Sequence, residues 1–543
     1  MKARYILIVG AITLLLFVAA SLLFAIVNTR QALSHLQDFE FHSANLAAKR
    51  AEVVVQPLAT LTLHKSSLMN GWESSLQSIT VINSLAETAQ KYLPAALQAS
   101  PESKQLAILL HQDVVELVSE LSTAAKTVES HGWLKKLVIN QLSPNLQQLI
   151  KDPEVLQKTL ADAQFLTQKI LTGQHRYVIV LQNSEELRAT GGFMGSYAVL
   201  ELSDGQVMTF KVQDIYEPDG QFSGLVEAPP GLKEYLSGGK GMRLPDSNWH
   251  PDFPSAAQEI LQFFALGKQS GNDGLVAINL QVIEQILEVI GPVQLPENKQ
   301  FVNAQNLSSI ARSDRSTFFP GSQQKKNFLQ SLLNQLEIVA SNLPIEKQQQ
   351  IVRVLARQFT AKNIQVFSHD LQIQQVLHQY HFDGQITAED AQAYFFLVES
   401  NVGINKANKD IQRQVQIEVE EYRTRITITF MNHSDSLAYI NYQRLITLPD
   451  TKVHQLVVAG TLQTQWDEQI LNTADGRAFN QLGFLVISPP LEQTTVVMEV
   501  SHPSRPDSSL KVQRQAGLPS TPYTIKHQGK TTTFLLEEDH LIE

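Results

Sequence analysis

The chain has 543 residues, 43% of them apolar and 18% charged, with a formal charge of −10 and no cysteine. This is the composition of a folded protein, not of a disordered, collagen-like or polytopic one. The acidic balance argues against general nucleic-acid binding, which needs a basic surface, and the lack of cysteine excludes disulfides, thiolate zinc sites and a thiol nucleophile.

At about 150 residues per domain, the length predicts three or four units. Residues 1–28 read as a cytoplasmic tip and a transmembrane anchor. Tyr5 to Val27 is uncharged and apolar, long enough at 1.5 Å per residue to cross a ~30 Å hydrocarbon layer. Lys2 and Arg4 precede it, so the positive-inside tendency puts the N-terminus in the cytoplasm and the bulk of the chain outside, as a single-pass protein of the cell membrane. A cleaved signal peptide is the alternative. Its apolar region is usually only about 7–15 residues with small residues at the cut, and Ile26-Val-Asn-Thr-Arg-Gln is a poor cleavage signal.

Residues 29–174 read as a helical stalk or bundle. Leu33, Leu36 and Phe39, Leu46, Ala47 and Ala51, and Leu109 to Leu121 carry apolar residues at helical spacing. Prolines at 57, 94, 101, 144 and 153 divide the region, and Gly173 is a plausible stop. From 175 to 406 the pattern is that of an α/β layered domain. Tyr177–Leu181, Tyr197–Leu202 and Gln206–Gln213 read as strands, the last two joined by a hairpin at Asp204-Gly205. Helices are expected over Pro254–Leu266, Leu280–Ile290, Gln324–Leu343 and Glu346–Phe359, and strands over Gly274–Asn279 and Ile364–Phe367. From 407 to 543 alternating runs such as Val415–Glu420, Thr424–Phe430 and Thr494–Val500 predict an all-β, sandwich-like domain.

The chemistry concentrates between the first two strands, in Gln182-Asn-Ser-Glu-Glu-Leu-Arg-Ala-Thr-Gly-Gly-Phe193. No helix follows the glycines and the loop holds no Gly-Lys-Ser/Thr, so this is neither a dinucleotide fingerprint nor a P-loop. Arg188 offers a planar fork of donors to phosphate or carboxylate, and beside the amides of Gly191 and Gly192 it makes a candidate anion site. The alternative pairs Arg188 with Glu185, Glu186 or another acid. A second constellation is Arg312-Ser-Asp-Arg315 followed by Gln323-Gln-Lys-Lys326 at the start of an amphipathic helix. Asp246 and Asp252 bracket Trp249 and read as capping or turn residues before a helix, with a metal or a sugar as the alternative ligand, and His378 and His381 read as ordinary surface residues. No serine sits in a Gly-x-Ser-x-Gly elbow.

Taken in order, Gln182-Asn183, Arg188-Ala-Thr-Gly-Gly-Phe193, Pro251-Asp-Phe-Pro254, Asp273–Asn279, Gly291-Pro-Val293 and Asn401–Lys406 resemble a family of bacterial and archaeal envelope proteins. That family is known mainly as a domain of unknown function behind one membrane anchor. More distantly, Asn183, Arg188, Gly291-Pro-Val293, Arg312, Arg315 and Gln323-Gln324 are similar in order to motifs of the LytR–CpsA–Psr phosphotransferases. The second resemblance implies a polyprenyl-pyrophosphate-linked glycan as ligand, a cell-wall polymer as acceptor and magnesium as cofactor. It also implies that Arg188, Arg312 and Arg315 grip pyrophosphate oxygens, where charge must be neutralised in phosphoryl transfer. The departures are specific. Asn183 stands where that family has a metal-binding aspartate, and an amide is a far poorer magnesium ligand than a carboxylate. Ser322 replaces an arginine, and Thr190-Gly191-Gly192 replaces an Arg-x-Asp. Glu185, Glu186 or Asp314 could supply replacement metal oxygens. Two functions follow: a membrane-anchored envelope protein that binds, and could transfer, a lipid-linked glycan, or a non-catalytic scaffold whose stalk and β domain meet protein partners.

Overall fold

The computed structural model describes residues 31–32, 41–61, 76, 80, 153–170 and 172–542, apart from 297–298, 300, 314–322, 389–390, 504–505 and 507–508. The chain divides into two units, residues 1–173 with 204–206, and residues 174–203 with 207–543. In the first unit the described helices are α1, Phe41–Leu61, and α2, Pro153–Ile170. Helix α1 buries Ala44, Ala47, Ala48, Ala51 and Val55, a stripe at three- and four-residue spacing whose small side chains let a neighbour come close. Both helices agree with the helical reading of this region. The expected anchor, Tyr5–Val27, lies outside the described residues, and among those described no helix is long and apolar enough to cross a membrane.

The second unit opens on a five-stranded sheet. Its first strands are β1, Gln174–Asn183, β2, Phe193–Ser203, β3, Gln206–Asp214, and β4, Gly274–Asn279. After a two-stranded ribbon of β5, Val293–Gln294, and β6, Phe301–Val302, strand β7, Ile364–Ser368, completes it. The order is β3-β2-β1-β4-β7. Strand β1 runs antiparallel to β2 and parallel to β4, and β4 runs antiparallel to β7. Period-two alternation sends successive side chains to opposite faces. Val178 and Val180 pack under α3, Phe253–Leu266, with Phe253, Ile260 and Phe264. Ile179 and Leu181 turn to the other face, against Leu329. That face is covered by α4, Leu280–Ile290, α5, Leu307–Ser313, and α6, Gln323–Ser341. Helices α7, Ile345–Thr360, and α8, Leu371–Gln379, flank β7. Asp252 caps α3, accepting from the Ser255 N–H at 3.2 Å, and Pro254 occupies its first turn.

The β-rich remainder contains β8, Ala393–Asn401, β9, Ile411–Glu420, β10, Arg423–Asn432, β11, Tyr439–Thr447, and β12, Lys452–Val458. Then come β13, Thr461–Leu462, β14, Asp467–Asn472, β15, Ala478–Ser488, and β16, Gln493–Ser501. The last are β17, Leu510–Gln513, β18, Thr521–His527, β19, Lys530–Leu536, and β20, His540–Ile542. They form sheets of order β13-β12-β16-β10-β9-β18-β19 and β14-β15-β11-β8-β17-β20, with a shared apolar core that includes Phe395, Ile417, Phe430, Val486 and Val512. Inside it Arg413 is held by Glu399 at 2.7 Å, and the Tyr439 hydroxyl donates to the same carboxylate at 2.6 Å. The 406/407 boundary expected from sequence falls after β8, a central strand of this sheet. All nine β8 residues are buried, so the strand lacks the alternation that marks the later ones. Val402 and Tyr442 also join the α/β core, and the two layered regions form one compact unit.

Candidate functional site

Strands β1 and β4 lie side by side in parallel and end at Asn183 and Asn279. The carboxyl end of parallel strands is where open α/β sheets place ligands, and the loop 184–192 crosses this end. It is buried almost throughout: Ser184, Glu186, Leu187, Arg188, Ala189 and Thr190 are all inaccessible.

Arg188 is 1% exposed, and each of its three guanidinium nitrogens meets a protein acceptor. Nε donates to Asp246 Oδ1 at 3.1 Å, and Nη2 reaches Glu186 Oε1 at 3.1 Å and Asp246 Oδ1 at 3.0 Å. Nη1 donates to the carbonyls of Asn401 at 2.8 Å and Leu187 at 3.2 Å. The Phe193 ring covers the guanidinium, 5.5 Å from its centroid. The expectation of a ligand grip at Arg188 is therefore corrected: its charge is neutralised and its fork is filled from within the chain. Pairing with Glu186 agrees with the alternative reading; the Asp246 partner lies 58 residues along, at a position that reads in sequence as a capping or turn residue.

The glycines are corrected in the same way. Gly191 has φ +128°, a region that favours glycine, and a Cβ there would lie 2.5 Å from Asn279 Nδ2. A Cβ on Gly192 would lie 2.4 Å from the Asn183 carbonyl carbon. Their missing side chains admit other parts of the protein, leaving no approach for a ligand. Beneath them runs a buried amide network. Gln182 donates to the Thr190 carbonyl, Thr190 Oγ1 donates to Gln182 Oε1, and Asn248 Nδ2 reaches Gln182, Thr190 and the Gly192 carbonyl. Gln365 also donates to the Thr190 carbonyl. From the β-rich region, Asn408 donates to the Ser184 carbonyl at 2.6 Å and Gln515 to the Arg188 carbonyl at 3.2 Å.

Beside the loop an apolar cleft of about 60 Å³ opens between Leu181, Phe193, Ile278, Ile283 and Leu329, with Asn183, Ser308 and Lys406 among its polar lining. Lys406 Nζ lies 3.5 Å from Glu185 Oε2, and Ser308 Oγ donates to Glu185 Oε1 at 2.6 Å. Asn183 Oδ1 accepts the Glu185 N–H at 3.0 Å, which closes a turn at the end of β1. Glu185 is engaged by a lysine and a serine and Glu186 by Arg188, and among the described residues no three acidic or histidine side chains converge. Arg312 lies in α5, four residues beyond Ser308, and Gln323 opens α6. Asp314 and Arg315 lie outside the described residues. Lys406 was visible in sequence as the end of the Asn401–Lys406 stretch, whereas Ser308 carries no sequence signal.

Residues 172–315 match a family described as "Protein of unknown function (DUF4012)". No curated protein sequence matches the chain. Part of the chain is similar in structure to a putative nutrient binding protein of Legionella pneumophila, at 8% identity over 24% of this chain and 54% of that one, TM-score 0.18; this chain thus spans about half of that protein. The transcriptional regulator yvhJ of Bacillus subtilis is 13% identical over 39% of this chain and 77% of that one, TM-score 0.22. The Lin1025 protein of Listeria innocua is 11% identical over 38% and 78%, TM-score 0.21. Likenesses of this size carry nothing about function.

Proposed function

We propose that this protein is a non-catalytic binding and scaffold module of the cell envelope, held to the membrane by the Tyr5–Val27 segment with its bulk outside the cytoplasm. One observation carries the reading: the arginine that a glycan phosphotransferase would spend on pyrophosphate is spent on Glu186, Asp246 and two carbonyls. A buried, fully paired guanidinium supplies no charge to a transferring phosphoryl group, and its loop instead joins the α/β and β-rich regions into one platform. Asn183, already used in its own turn, points the same way.

A second reading, binding of a polyprenyl-pyrophosphate-linked glycan without transfer, is favoured by the apolar cleft with Lys406 on its lining. A cleft of about 60 Å³ holds little more than one or two waters, so that reading requires the cleft to widen. The test uses the full-length protein extracted from its own membranes in mild detergent. Wild type and Lys406→Ala are compared by native mass spectrometry, alone and with added farnesyl pyrophosphate and magnesium. The scaffold reading expects no retained pyrophosphate lipid and no turnover in either form. A lipid retained by wild type and lost from the variant would overturn it in favour of the second reading, and turnover would restore the transferase.

A further inference from the structure

Among the described residues of the second unit four arginines are buried, and they are not equivalent. Arg188 pairs with Glu186 and Asp246, and Arg413 with Glu399. Arg514 donates to the carbonyls of Ala361, Leu536 and Leu518 through all three of its nitrogens. Arg444, in the middle of β11, is 1% exposed and has no carboxylate partner among the described residues. Its Nη1 donates to the Trp249 carbonyl at 2.8 Å and its Nη2 to Ser400 Oγ at 2.9 Å, while Nε is buried with no acceptor. Burial alone pushes its pKa down, to about 10. An isolated charge of this kind is costly to keep in a protein interior.

Arg444 lines a cavity of about 560 Å³, within the ordinary range of roughly 300–1,000 Å³ for small-molecule sites. The guanidinium lies 4.7 Å from the centroid of the Trp249 ring, which itself stacks on Tyr442. Gln481, on the neighbouring strand β15, also lines the cavity, and its Oε1 is buried without a donor. The same cavity is lined by Glu259 of α3. Among the described residues this carboxylate pairs with no cation, and desolvation raises its pKa to about 7. Within one cavity, then, stand an unpaired guanidinium and an unpaired carboxylate that do not reach each other, together with an aromatic ring and an unfilled acceptor.

We infer that this cavity is a binding site for a small zwitterion of the amino-acid or short-peptide class, its carboxylate held by Arg444 and its ammonium group directed to Glu259. A carboxylate fits the planar fork of the guanidinium and supplies Arg444 with the counter-charge that the chain withholds. An ammonium group brings the positive charge that Glu259 lacks and carries three donors, of the kind that the unfilled Gln481 oxygen accepts. Trp249 and the prolines at 229, 230 and 251 give apolar walls to the part between. The site is independent of the cleft beside Lys406 and shares no lining residue with it.

The experiment is calorimetric titration of the full-length protein in detergent with tri-alanine, its C-terminal amide and its N-acetyl derivative. Free tri-alanine is expected to bind at millimolar concentration or below. The amide, which lacks the anion, is expected to bind at least tenfold more weakly, the scale of a lost charge-assisted hydrogen bond. Acetylation is expected to weaken binding by a smaller factor. Arg444→Met should abolish binding of the free peptide while leaving the far-ultraviolet circular dichroism unchanged. If that variant does not fold, Glu259→Gln carries the test, because it should erase the preference for the free amine over the acetylated peptide. The inference is overturned if wild type gives no binding at millimolar tri-alanine, if acid and amide bind equally, or if both a folded Arg444→Met and Glu259→Gln keep the wild-type profile.

Discussion

Arg188→Ala is the substitution whose cost the geometry fixes best. The side chain is sealed, and its removal strands Glu186 and Asp246, whose side chains are 8% and 24% exposed. Truncating one member of a buried ion pair costs about 3–5 kcal/mol, because the remaining charge stays buried without its partner. The carbonyls of Leu187 and Asn401 lose their donor as well. For a unit of roughly 370 residues, an unfolding entropy of about 2.1 cal/mol/K per residue turns this into a fall in Tm of about 4–6 °C. The assay is thermal unfolding of the full-length protein in detergent, followed by near-ultraviolet circular dichroism, which reads tertiary packing. A companion variant, Arg188→Met with Glu186→Gln and Asp246→Asn, removes the charges together and should regain half of the loss or more, since a buried ion pair replaced as a set is often neutral. If Arg188→Ala unfolds within about 1 °C of wild type, a change worth under ~1 kcal/mol, the guanidinium is not the buried tie described above and a ligand-facing role is open again.

Two further substitutions test the same region and the second cavity. Gly191→Ala should destabilise by about 2–3 kcal/mol, the sum of overpacking against Asn279 and a positive φ that alanine avoids, read by urea denaturation; an isostable variant would mean that the loop relaxes away from β4. Glu259 tests pH dependence. Its folded pKa, raised to about 7 from an ordinary 4.5, means that the folded state holds its proton more tightly than the unfolded chain does. The contribution of this group is therefore most favourable below about pH 4.5 and is lost as pH rises through 7. Glu259→Gln should stabilise the protein at pH 8 by about 2 kcal/mol after allowance for partial solvent screening, and by little at pH 4.5; an equal effect at both would remove desolvation as the cause.

The elements were legible in the sequence wherever periodicity and punctuation agreed. Val178 and Val180 against Ile179 and Leu181 announce a strand covered on both faces, and the Asp204-Gly205 turn adopts positive φ at both residues as the dipeptide implies. Pro254 and Gly291-Pro292 bound α3 and α4 within one residue of their expected ends. Strand β8 was missed as part of the β-rich region because Ala393–Val398 is apolar without alternation, so nothing in it says which core it enters. The loop residues were found and their role was misread, for a physical reason. A guanidinium beside glycines presents the same donors to a phosphate as to a buried carboxylate, and the choice depends on Asp246, Asn401 and Gln515, which are remote in sequence. Arg444 gave no signal at all: Tyr442-Gln-Arg-Leu445 reads as an ordinary strand, and only the packing of Trp249 over it isolates the charge.

The loop that begins the second unit is finished by a segment far along the chain. Gln515 donates to the Arg188 carbonyl across 327 residues, and Gly517 sits so close to Gly191 that a Cβ there would lie 2.0 Å from its carbonyl oxygen. A chain that emerges from its amino end must hold Glu186, Arg188 and Asp246 without their lid until Gln515 has been made. Closure over so long a span is slow, and it ties completion of the α/β layers to that of the β-rich layers. A fragment cut at 406 would expose the underside of this loop. Loss of the last thirty residues should act as a folding lesion of the first strands, far from where the chain was cut.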